Sequence, residues 1–235
     1  MTDAMPTTPG DSRRVVTFDL FSALLDSRTG GSAALDALAQ DRGWPVVGTQ
    51  LYDAWDPRHK AAQRDCAEWE PWRGPAGRAL AAAYASLGLD GDPAEGVEVL
   101  VASLPEWPLW PDVREGLPLL SDRWRVGLLS NVDDDLFAVT AAADLVEPGL
   151  ALTSERLRVY KPSPEIYHRA VEALGSPVHV ATSARDVRGA LEAGIPVVRL
   201  RRPGHDLDPD GPTPDHEVTS TYDLAEALAD PARAR

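Results

Sequence analysis

Val15-Val16-Thr17-Phe18 runs straight into Asp19-Leu20-Phe21-Ser22, and this junction decides the fold. A short run of β-branched and aromatic residues predicts a strand buried on both faces, as in a parallel sheet. Asp19 then stands where the strand stops and the chain turns. Working outward, Arg125 to Leu129 ends in Ser130-Asn131, and Val178 to Ala181 ends in Thr182-Ser183. Pro196 to Leu200 and Leu150 to Thr153 complete the strand-like runs. Helical patterns separate them: Val113 to Leu120, Asp134 to Ala143, Pro164 to Leu174, and Ala184 to Ala193 closed by Gly194. Alternation of this kind predicts an α/β fold, a Rossmann-like parallel sheet with helices on both faces. Polar residues at the carboxyl ends of such strands converge on the crevice where ligands bind.

One stretch breaks the alternation. From Gly31 to Glu106 only helical runs occur: Ser32 to Asp41, Gln50 to Glu68, Gly77 to Leu87 and Pro93 to Ser103. The reading is a flexible leader over residues 1–13, an α/β core over 14–30 and 107–230, and a helical cap over 31–106 inserted after the first strand. Six of the seven tryptophans lie in or beside that insertion. They serve either as its own small core or, at one or two positions, as walls of a pocket facing Asp19.

The charge balance excludes several classes. With 23 Lys+Arg against 37 Asp+Glu the net charge is −14, which disfavours nucleic acid and anionic membrane as partners. No apolar run is long enough to span a bilayer and no signal-peptide pattern opens the chain, so the expected location is cytoplasmic. The one cysteine, Cys66, fits a reducing compartment and removes any thiolate zinc cluster. Only two basic residues are lysine, Lys60 and Lys161. A lysine in so arginine-rich a chain points to a place that needs a compact ammonium charge.

Asp19, Ser130-Asn131, Lys161, and Thr182-Ser183 with Asp186 all stand at strand ends or just past them. A carboxylate there can act as a covalent nucleophile. A lysine can orient it, hydroxyl and amide groups can donate to a developing anion, and a second carboxylate can act on water. In order and context, Phe18-Asp19-Leu20-Phe21, Leu129-Ser130-Asn131, Lys161-Pro162-Ser163-Pro164 and Asp186-Val187-Arg188-Gly189 resemble the four motifs of the haloacid dehalogenase superfamily.

That resemblance implies a hydrolase with an aspartate nucleophile. The phosphatases of the superfamily place a second Asp two residues after the nucleophile, where this chain has Phe21, and Gly-Asp where it has Ala181-Thr182. The 2-haloacid dehalogenase branch has an aromatic residue at the first place and needs no metal. The resemblance to that branch implies Asp19 as nucleophile, with Lys161 and Asp186 as the charge-and-water pair. It implies Phe21, Ser130, Asn131, Thr182, Ser183 and Tyr167 around a small anionic organic substrate, and no cofactor. The branch also uses a cap arginine on the halide, for which Arg58 is the candidate. Its Gly-Thr is replaced by Ser22-Ala23, so the hydroxyl that orients the nucleophile is missing at Ala23. Two alternatives stay open: a phosphatase holding Mg²⁺ through Asp19 and Asp186, and a catalytically idle member that binds a small anion or a partner. A homodimer is also left open. Asp206-x-Asp208-x-Asp210-Gly211 with Glu217 matches a calcium-loop spacing, but its prolines favour an acidic surface loop. His179, on a strand, reads as a packing residue.

Overall fold

The computed structural model describes residues 12–229. Most of the expected leader, residues 1–11, and the expected tail, Asp230 to Arg235, lie outside the described residues. Six parallel strands form one sheet in the order β3-β2-β1-β4-β5-β6. They are β1 (Arg14–Phe18), β2 (Trp124–Ser130), β3 (Ala151–Thr153), β4 (Val178–Ala181), β5 (Val197–Leu200) and β6 (His216–Val218). The α/β expectation holds.

Strand order gives the site its place. From β1 the chain builds outward to β2 and β3 on one side, then returns to lay β4, β5 and β6 on the other. Val16 is therefore paired with Val126 on one flank and Val178 on the other. The crevice between β1 and β4 is the topological switch point, where open parallel sheets bind ligands. Asp19 sits on its edge.

After Asp19 the chain tightens into a π-type turn over Leu20–Leu24, and Leu25 then pairs with Leu109 in an antiparallel bridge. Four long helices follow: α1 (Ser27–Asp41), α2 (Gly48–Arg64), α3 (Arg73–Leu87) and α4 (Pro93–Ser103). Each packs on two of the others in a closed ring, through residues such as Leu35, Leu51, Leu80 and Leu100. Helix α1 starts five residues earlier than its sequence pattern suggests. The Asp26 carboxylate caps it, accepting from the Thr29 N–H at 3.1 Å. Gly30 is admitted to this helix because a Cβ there would lie 2.5 Å from the Trp107 ring. Bulk at Trp107 thus replaces helix propensity as the deciding factor.

Shorter helices α5 (Val113–Gly116), α6 (Asp134–Ala138) and α7 (Ser154–Leu157) precede the amphipathic pair α8 (Pro164–Leu174) and α9 (Ala184–Glu192), and α10 (Leu224–Ala227) is the last element among the described residues. The helix expected over 113–120 gives way to a 3₁₀ turn at Leu117–Leu120, where Pro118 cannot donate to an α-type ladder. Among the described residues no helix is long and apolar enough to cross a membrane.

The supposed acidic loop ends in strand β6, which pairs with β5 at the sheet edge. Two of its carboxylates are committed to guanidinium groups, Asp208 to Arg188 at 2.7 Å and Glu217 to Arg199 at 2.6 Å, and among the described residues no carboxylate cluster is placed to hold a metal ion. They do not ring a common centre.

Candidate active site

Asp19 is 8% exposed at the end of β1, and both of its carboxylate oxygens are engaged. Oδ1 accepts from the Lys161 ammonium at 2.9 Å and from the Ser130 hydroxyl at 3.1 Å. Oδ2 accepts from the Ser22 N–H at 3.1 Å and the Ser22 hydroxyl at 2.6 Å. The π-type turn makes the last pair possible, because it folds residue 22 back over the strand end. Ala23 offers no hydroxyl, as the sequence says, yet its neighbour Ser22 supplies one.

Lys161 arrives from the loop before α8 and is 3% exposed. Its Nζ donates to the Leu129 carbonyl at 2.8 Å and to Asp186 Oδ2 at 2.5 Å, besides Asp19. Asp186, in the first turn of α9, is equally saturated. Its Oδ1 accepts from the Tyr167 hydroxyl at 2.8 Å, and its Oδ2 lies 3.1 Å from His179 Nε2. Tyr167 comes this close because Gly189 has no side chain; a Cβ there would stand 2.8 Å from the phenol oxygen. The other nitrogen of His179 meets the Thr17 hydroxyl at 2.9 Å, so this strand histidine is part of the polar chain behind the site.

The electrostatics follow from that wiring. Burial pushes the Asp19 carboxyl up most strongly, but the charge and hydrogen bond of the Lys161 ammonium together with the Ser22 hydroxyl outweigh it and hold Asp19 below the usual carboxylate range. Burial likewise opposes ionisation of Asp186, and Lys161 and His179 hold it well below that range. Burial works against the ammonium too; Asp186 and Asp19 raise Lys161 above its ordinary value. All three groups are ionised at neutral pH, two anions sharing one cation.

A cavity opens over Asp19, with Phe21, Trp55, Trp72 and Trp107 among its aromatic walls. Trp55, Trp72 and Trp107 also belong to the buried core cluster, so tryptophans serve both as core and as cavity wall, at three positions rather than one or two. Asn131 and Ser183 line the same cavity. Other expected site residues are placed differently. Thr182 turns its hydroxyl to the Leu200 carbonyl at 2.7 Å, pinning the sheet edge. Tyr167 is fully buried behind Asp186. Arg58 folds back along α2 to the Ala54 carbonyl at 2.6 Å and is not among the cavity-lining residues. The structure instead brings Gln63, Lys60, His59 and Arg185 to the cavity. Both lysines of the chain therefore meet in one chamber. Of the newcomers from α2, His59 and Lys60 are adjacent and Gln63 stands one helical turn further on, a spacing visible in the sequence but without a motif to mark it.

A buried carboxylate also ties the helical segment to the sheet. Asp133 accepts from the Trp72 N–H at 2.9 Å at the start of α3. Burial pushes its pKa up to about 6. A carboxyl raised on folding favours the folded state below the unfolded value and loses that contribution as pH rises through the folded value. Asp133→Asn, which keeps an acceptor for Trp72, is therefore expected to flatten the change of stability between pH 4 and 6. Denaturation midpoints of both proteins across that window check it; an unchanged slope contradicts it.

Comparison with known proteins adds to this geometry. The (S)-2-haloacid dehalogenase 4A of Burkholderia cepacia is 31% identical over 137 residues, 55% of this chain and 59% of that protein. The matched stretch thus spans about three fifths of that relative's length. The L-2-haloacid dehalogenase of Xanthobacter autotrophicus, solved with chloropropionic acid covalently bound, superposes with a TM-score of 0.79 at 20% identity, over 92% of this chain and 98% of that one. A defluorinating L-2-haloacid dehalogenase superposes at 0.78 with 25% identity, over 94% of this chain and 96% of that one. The haloacid dehalogenase-like hydrolase model matches residues 13–194, which takes in β1, the helical segment, Lys161 and Asp186. The chain belongs to the haloacid dehalogenase-like hydrolase family.

Proposed function

We propose that the protein hydrolyses the carbon–halogen bond of short 2-haloacids through an ester on Asp19. The observation that carries this reading is the environment of Asp19: an ionised carboxylate with both oxygens held, facing an aromatic-walled cavity at the switch point. Asp19 displaces halide at the carbon next to the substrate carboxylate, forming the ester. Lys161, Ser22 and Ser130 keep the attacking group in place and stabilise charge on its oxygens when water attacks the ester carbonyl. Water is activated beside the Lys161–Asp186 pair, and His179 and Tyr167 hold Asp186 to that ammonium. Phe21, Asn131 and Ser183 shape the floor, and the four-helix segment serves as a cap. The name of the Burkholderia cepacia relative supports this choice of substrate.

The phosphatase alternative asks Asp19 and Asp186 to hold Mg²⁺. The residues do not fit that ion. The Lys161 ammonium already stands between the two carboxylates, at 2.9 and 2.5 Å, and the remaining Asp186 oxygen is taken by Tyr167. Two carboxylates that share a lysine leave no common oxygen face for a hard cation.

Halide release from 2-chloropropionate is therefore expected to be the same with added Mg²⁺ and with chelator, and an aryl phosphate to yield no phosphate. Phosphate turnover that requires Mg²⁺ would overturn the reading.

A further inference from the structure

An acid substrate brings a negative charge into the cavity, and the groups first expected to receive it are already spent. The amide of Asn131 donates both hydrogens within the protein, to Gln63 Oε1 at 3.1 Å and the Lys161 carbonyl at 3.0 Å. Its oxygen accepts from the Lys161 N–H at 2.7 Å. The single hydroxyl proton of Ser130 goes to Asp19. Lys161 is shared by two carboxylates. None of these has a hydrogen left for an incoming anion.

Arg185 differs. It lines the cavity from the first turn of α9 and reaches across to α2, donating from Nη1 to the Lys60 carbonyl at 3.0 Å and from Nη2 to Gln63 Oε1 at 3.3 Å. Those two bonds leave three of its five N–H groups. Among the described residues no carboxylate lies within ion-pair distance of it. Burial pulls the guanidinium below its ordinary value, and Asp186, Asp19 and Asp56 draw it back. Such a cation, half-buried without a counterion at contact, is costly unless a ligand completes it.

The geometry points to Arg185 as the residue that binds the carboxylate of the substrate acid. A planar fork of N–H donors matches the two oxygens of a carboxylate better than it matches a spherical halide. The Ser130-Asn131 pair then does not hold that charge. Lys60, on the same wall and paired among the described residues only with Asp56 on its own helix at 2.6 Å, adds a second positive charge at the mouth. The identity of the acid rests on the dehalogenase reading; the anion site itself does not.

The test separates the two. Propionate, which carries the carboxylate and no halogen, and bromide are each titrated against the full-length protein by quenching or shift of tryptophan fluorescence, with Trp55, Trp72 and Trp107 as reporters. Saturable propionate binding is expected in the wild type. Arg185→Gln should weaken it at least tenfold, Arg185→Lys should recover part of the loss, and bromide binding should change less than twofold. Circular dichroism confirms that each variant is folded, and the Lys variant serves if the Gln variant is not. Four results overturn the proposal: no propionate binding in the wild type, unchanged propionate binding in the variants, loss of bromide alone, or equal loss of both. Loss of bromide alone would mark a leaving-group site, and unchanged binding of both a tie between α9 and α2. A wild type that binds propionate through Arg185 yet releases halide from no 2-haloacid would refute the dehalogenase reading and leave the anion site standing.

Discussion

Asp19→Asn is expected to abolish halide release, with a loss of about 10⁴-fold or more, as when the nucleophile of a covalent hydrolase is removed. A neutral amide is a poor nucleophile, and it gives the Lys161 ammonium no negative charge on that side. The fold should survive. The amide oxygen can still accept from Ser22 or Lys161, and removing Asp19's charge relieves its repulsion with Asp186. Initial rates on 2-chloropropionate with a matched melting curve check both parts. An Asn variant that keeps a tenth of the activity would show that Asp19 is not the attacking group.

Lys161→Met has the second large effect, and it falls on stability as well as rate. The ammonium is 3% exposed and is the common partner of two buried carboxylates. Removing one partner of a buried ion pair leaves charge uncompensated, at a cost of about 3–5 kcal/mol. Protonation of a carboxylate limits that cost, so the variant's stability should fall as pH rises through the displaced carboxyl pKa. The wild type behaves in the opposite sense. Asp19 and Asp186 have depressed folded-state values, so their contribution is present above the unfolded value and fades as acid takes pH down through the folded ones. Chemical denaturation of both proteins from acid to neutral pH reads the difference. Parallel curves would contradict the placement of Lys161 between the carboxylates. Lys161→Arg should not rescue activity, because a planar fork cannot reach three acceptors converging on one ammonium.

How much of this was legible in the sequence depends on how local each feature is. The β1–Asp19 junction was readable because a buried parallel strand imposes its own apolar run and its end imposes a polar residue. Lys161 stood out by composition and by its Pro-x-Pro context. Edge strand β6 was hidden, since His216-Glu217-Val218 is short, half-exposed and carries no apolar alternation. Ser22 was overlooked because its hydroxyl reaches Asp19 only through a π-type turn that no pattern announces. Arg58 and Arg185 show the sharpest difference. Position in the chain favoured an arginine on the helical segment, but Pro57 and the pitch of α2 leave Arg58 folded against its own helix. Arg185, in the motif after β4, reaches α2 from the opposite side. Which arginine faces a cavity is a property of two surfaces meeting, and no single segment encodes it. In the sequence His179 reads as packing; its partners Thr17 and Asp186 are brought to it by β1 and α9, far apart in sequence from each other.

The ester on Asp19 is the central claim, and heavy-oxygen water tests it most directly. The protein is incubated with excess 2-chloropropionate in that solvent through many turnovers and digested, and the peptide carrying Asp19 is weighed by mass spectrometry. Attack of water on the ester carbonyl must leave heavy oxygen in the Asp19 carboxylate, so a mass gain confined to that peptide is expected. Halide release with an unlabelled Asp19, and with heavy oxygen passing straight to the product in a single turnover, would contradict the account.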